Sequence, residues 1–97
     1  MAANTIFSNK TTDGVGTAQH NSGSNIAIYV IHKTGPLGGA FCNVLYSTSA
    51  SGPWVSAGSL TDHNPAKLIM LPAGSYVNCK LSGAVQGETH ISVTLAS

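Results

Sequence analysis

Apolar and polar residues alternate with a period of two along most of this chain, which is the signature of half-buried β-strands. Residues 25–33, NIAIYVIHK, carry the strongest such signal. Ile26, Ile28, Val30 and His32 share one face, and Ala27, Tyr29 and Ile31 share the other. Both faces are apolar, so the pattern predicts a central strand covered on both sides. Its β-branched residues favour a strand over a short helix.

Residues 40–47, AFCNVLYS, place Cys42, Val44 and Tyr46 on one face and Phe41 and Leu45 on the other. PWVSAG (53–58) reads as a short strand, and AKLIMLP (66–72) as a compact apolar one. In 73–83, Val77, Cys79 and Leu81 face inward. In 89–96, Ile91, Val93 and Leu95 do the same. Gly, Ser, Pro and Asn separate these runs at roughly 8–12-residue spacing, the rhythm of a small all-β domain. The fold expected is an Ig-like or jelly-roll β-sandwich over residues 25–97. Its buried residues include Ile28, Val30, Val44, Ile69, Val77, Ile91 and Val93.

Residues 1–24 are mostly polar. They hold one short apolar stretch, Thr5-Ile6-Phe7, followed by the turn-rich NKTTDGVGTAQHNSGS. This segment is expected to be a first short strand and a loose N-terminal arm. Ile6 and Phe7 are its apolar anchors, set to order against a partner.

The chain has 97 residues, enough for one domain. Asp, Glu, Lys and Arg make up only 7% of it, against roughly 25% in an average soluble domain. Ser, Thr, Asn and Gly together supply 39 of the 97 residues, so uncharged polar groups must cover the surface. There is no Arg, and Lys10, Lys33, Lys67 and Lys80 are scattered. A concentrated basic face for nucleic acid is therefore missing. The same shortage of basic charge argues against attraction to a membrane surface, and no apolar run reaches the ~18 residues of a membrane span. The opening MAANTIFSNK lacks a basic region followed by an apolar run, so no secretory signal is expected. Synthesis in the cytoplasm with reduced thiols follows as an expectation.

Candidate chemistry is sparse. His20, His32, His63 and His90 show no metal-site spacing and no Cys or carboxylate companions. No G-x-S-x-G elbow accompanies the serines. Asp13, Asp62 and Glu88 fall in three separate turns, which makes a paired-carboxylate site hard to build. No catalytic, cofactor-binding or metal-binding residue is expected, and the chain reads as a non-enzyme. Trp54, after an exposed Ser/Gly loop, is either a binding hot spot or a core tryptophan capping one end of the sandwich.

Cys42, Trp54 and Cys79 stand in an order similar to that of immunoglobulin domains. The 37-residue gap is short for that family, and Tyr76 lies three rather than two residues before Cys79. The cysteines either face each other across the core or act as two buried reduced thiols. Ser49 to Trp54, Leu71 to Val77 (LPAGSYV) and Ser82-Gly83-Ala84 together resemble a pattern of small phage structural proteins, over roughly residues 25–96. These motifs report sandwich turns and carry no catalytic residue across.

That resemblance implies a head decoration (cement) protein of a bacteriophage virion. Such a protein is made in the host cytoplasm and binds and stabilises the capsid exterior. Its partner would be the major capsid protein, with a homotrimer among the assemblies expected and Ile6, Phe7 and Trp54 as partner-binding residues. The alternatives are a tail or fibre domain or a carbohydrate-binding adhesion module, with Trp54 beside Asn and Asp groups, and a small metal-dependent enzyme.

Overall fold

A computed structural model describes residues 4–96. Among the described residues the chain forms nine strands and no helix. They are β1 (Asn4–Lys10), β2 (Gly14–Val15), β3 (Gln19–His20), β4 (Ala27–Thr34), β5 (Phe41–Ser47), β6 (Val55–Leu60), β7 (Ala66–Leu71), β8 (Tyr76–Ser82) and β9 (Ile91–Ala96). Two sheets result. Sheet A has the order β1-β9-β4-β7, and sheet B has the order β2-β8-β5-β6 with β3 also on β8. Every pairing is antiparallel.

The pairing order decides between the two sandwiches expected. β5 and β6 form the apex of one long hairpin. Working outward from it, β4 pairs with β7, β2 and β3 pair with β8, and β1 pairs with β9. The hairpin then rolls up, so that β4 also meets β9 and β5 also meets β8. That rolled hairpin of eight strand positions in two sheets is a jelly roll.

The core lies between the sheets. Val44, Cys42, Cys79, Leu81 and Val77 enter it from sheet B, and Ile31, Val93, Ile91, Leu95 and Leu71 from sheet A. For β5, β8 and β9 the inward faces are those expected from alternation. For β4 they are not. Tyr29, Ile31 and Lys33 point inward, while Ile28 and Val30 are 55% and 43% exposed. A two-layer sandwich covers only one face of each sheet. The larger inward side chains, Tyr29 and Ile31, took the covered one. Ile69 is half-buried, packed against the core's edge.

The N-terminal segment is not a loose arm over its described length. β1 is a full edge strand on β9, with register shifts on either side of Phe7. The irregularity breaks the alternation and turns two consecutive side chains, Ile6 and Phe7, into the core, each 3% exposed. The following turns are tied down as well. Gly16 donates to the Cys79 carbonyl at 2.9 Å, and Thr17 to the Ile6 carbonyl at 3.0 Å. The Asn78 side chain donates to the Gly16 carbonyl at 3.0 Å. Gly16 must be glycine here, because a Cβ would stand 2.5 Å from the Ile6 carbonyl oxygen. Buried Asn21 donates through Nδ2 to the carbonyls of Asn25 and Leu71, stapling the next loop to sheet A.

Candidate docking face

The outer face of sheet A collects the apolar side chains that the core leaves out. On adjacent strands, Ile28 stands opposite Met70 and Val30 opposite Leu68. Met70 and Leu68 are 65% and 66% exposed, and Ile26, just before β4, extends the stripe. Ala96 lies opposite Val30 on the other side, where β9 pairs with β4. The remaining outward residues of these strands are His32, Thr34, Ala66, Ser92 and Thr94, none of them Asp, Glu, Lys or Arg. The lysines of β4 and β7 turn the other way. Lys33 is buried, and Lys67 lies against Gly58 of β6.

With its five large side chains this face presents roughly 500 Å² of apolar surface, the upper end of what a monomer's largest patch reaches. The outer face of sheet B is more mixed. It carries exposed Phe41 and Lys80, and a stacked His20–Tyr76 pair with ring centroids 4.2 Å apart.

Of the residues expected to bind a partner, Ile6 and Phe7 are core residues. Their bulged strand spends them on the chain's own interior, so neither is an exposed anchor in this fold. Trp54 precedes β6 and is half-buried, with Gly52 packed against its ring.

The thiols of Cys42 and Cys79 are free and buried. They do not oppose each other across the core. Both lie in sheet B on neighbouring strands, Cys79 opposite Val44 and Cys42 opposite Leu81. Contact with the Cys42 thiol, reinforced by burial, pushes the Cys79 pKa up and keeps it protonated.

Two acidic side chains, Asp62 and Asp13, serve the fold. Lys33 Nζ donates to Asp62 Oδ1 at 2.8 Å and to the Gly35 carbonyl at 2.6 Å, and Leu37 N donates to the same carboxylate oxygen at 3.3 Å. The Lys33 hydrogen bond holds the Asp62 carboxyl below its ordinary range. Asp13 accepts from Ala84 N at 2.8 Å, beside a shallow depression of about 470 Å³. Among the described residues no three His, Cys, Asp or Glu side chains gather closely enough to hold a metal ion. No helix among them is long and apolar enough to cross a membrane.

The exposed apolar face of sheet A had a signal in the sequence. Residues 25–33 and 66–72 are apolar on both faces, yet a chain of this length makes only two layers. One face of those strands had to stay uncovered. Compared with protein-family models, curated proteins and solved structures, the chain matches none.

Proposed function

We propose that this chain is a non-enzymatic virion structural protein, a decoration protein that attaches to the exterior of a phage capsid through the outer face of sheet A. One observation carries the reading: strands β4 and β7 are patterned for burial on both faces, and the fold covers only one. An apolar, charge-free stripe at the upper end of a monomer's largest patch is often a functional surface. A partner of nucleic acid would call for basic side chains, and this face has none. The motif resemblance to small phage structural proteins supplies the identity of the partner, the major capsid protein. Jelly rolls recur in viral capsid and lectin domains, which agrees with the reading by analogy of fold.

The contact rests on shape and apolar burial, so it resists salt. The test is co-sedimentation of the purified protein with capsids assembled from the major capsid protein of the same genome. Pelleting with capsids, retained at high salt, supports the proposal. A protein that stays in the supernatant at saturating capsid concentration removes it.

A further inference from the structure

We infer that two copies of this chain pair edge to edge through β7, joining their docking faces into one. The free edges of the two sheets differ sharply. β1 is interrupted by two register shifts. β2 and β3 are two residues each. β6 carries a register shift against β5 and Gly58 at a φ of +121°. Bulges and brevity of this kind are the devices that keep a sheet edge from recruiting another strand. β7 has neither a bulge nor so short a run. Its six residues run in unbroken register with β4, and the one protective device it carries is an inward-turned charge, Lys67 against Gly58. Pro65 and Pro72 bound the strand without entering it.

The hydrogen-bond alternation shows which groups are free. Lys33 N donates to the Pro65 carbonyl, so the residues in phase with Pro65, namely Lys67, Ile69 and Leu71, bond to β4. Ala66, Leu68 and Met70 then turn their N–H and C=O groups to the open edge. With Leu68 of one copy opposite Leu68 of the other, Ala66 of each meets Met70 of its mate, and about six backbone hydrogen bonds close the pair.

A two-fold axis perpendicular to the sheet relates such copies, so both apolar faces point the same way. The two four-stranded sheets become one continuous sheet. Its joined face offers on the order of 1,000 Å² of apolar surface, twice that of one copy. The pairing stands on the edge geometry. Its purpose, a larger docking face, rests on the capsid-binding reading, and a two-fold pair takes the place of the homotrimer expected from the motif resemblance.

Sedimentation equilibrium and amide hydrogen exchange on the intact protein test the inference together. The expected result is a monomer–dimer equilibrium in which the Leu68 and Met70 amides slow by roughly tenfold or more as concentration rises. Met70→Pro removes an outward N–H without touching the β4 ladder, and it should shift the protein to monomer with its β-sheet circular dichroism unchanged. A monomer at every concentration, with Leu68 and Met70 exchanging freely, overturns the inference. So does a trimer, or a dimer in which those amides stay unprotected. Val30→Asp separates the two ideas, because it spoils the face and leaves the edge. Loss of capsid binding by a Val30→Asp dimer leaves the pairing intact, and failure of the wild-type dimer to bind capsids removes only the capsid reading.

Discussion

Ile28 of β4 and Met70 of β7 are directly opposed cross-strand neighbours, and both are more than half exposed. Three residues further along β4, Ile31 is fully buried. The same strand thus carries isoleucines with opposite duties. Leu68→Thr on the outer face should change stability by no more than about 0.5 kcal/mol, because little burial is lost. Ile31→Ala should cost about 2–5 kcal/mol through transfer and cavity terms. Urea unfolding of the two variants checks the contrast. Equal losses would mean that the exposed face is packed in solution.

The N-terminal strand should prove part of the fold. Phe7→Ala removes a buried ring from the bulge of β1 and should cost about 3–5 kcal/mol. Deleting residues 1–10 strips Ile6 and Phe7 from the core and uncovers β9, and it should abolish a cooperative thermal transition. A truncated protein that melts like the intact one would show that β1 is dispensable.

β8 and β9 were legible in the sequence, because one apolar face alternates with a mostly polar one and only one register hides it, whereas β5 carries Phe41 and Leu45 on its outer face as well. β4 was ambiguous, because Ile28 and Ile31 are equally apolar and period alone cannot say which face is covered. The fate of Ile6 and Phe7 was hidden for a different reason. Two consecutive inward side chains require a bulge, which arises from pairing with β9 and leaves no local mark. Jelly roll and Ig-like sandwich share strand lengths and turn chemistry, and what separates them is pairing order, which depends on contacts between residues far apart in sequence. The exposed apolar face of sheet A was present as a surplus of apolar positions on β4 and β7, readable once the number of layers is known.

Acid should weaken the Lys33–Asp62 pair. Lys33 is 4% exposed while Asp62 is 54% exposed, so the ammonium depends on a carboxylate at the solvent boundary. The folded Asp62 pKa lies below its unfolded value. Its contribution is therefore complete above the unfolded pKa near ~3.9 and is lost as pH falls through the folded one. Asp62→Asn should cost about 1–3 kcal/mol at neutral pH, the loss of a hydrogen bond between charged groups. The gap between wild type and variant should narrow as pH falls below the unfolded value of ~3.9 and close below the folded one. Urea midpoints across that range decide it, and a gap independent of pH would assign the loss to something other than this ion pair.

The thiols should be silent in the folded protein. Cys42 and Cys79 are 0% exposed, and burial beside its neighbour holds Cys79 in the protonated, unreactive form. A disulfide-exchange reagent should label neither thiol under native conditions and both after denaturation without reductant. Absence of labelling in denaturant would reveal a bridge between β5 and β8.

Val30→Asp places a carboxylate in the middle of the sheet A face, at a side chain already 43% exposed, so the fold tolerates it. Co-sedimentation of this variant and wild type with capsids from the same genome, across a range of protein concentration, measures the cost. Wild type should saturate the capsid, and Val30→Asp should bind roughly 100-fold more weakly, about 2.8 kcal/mol, through the unpaired charge buried at the contact. Equal binding isotherms for the two proteins would contradict the claim that this face is where the chain meets its partner.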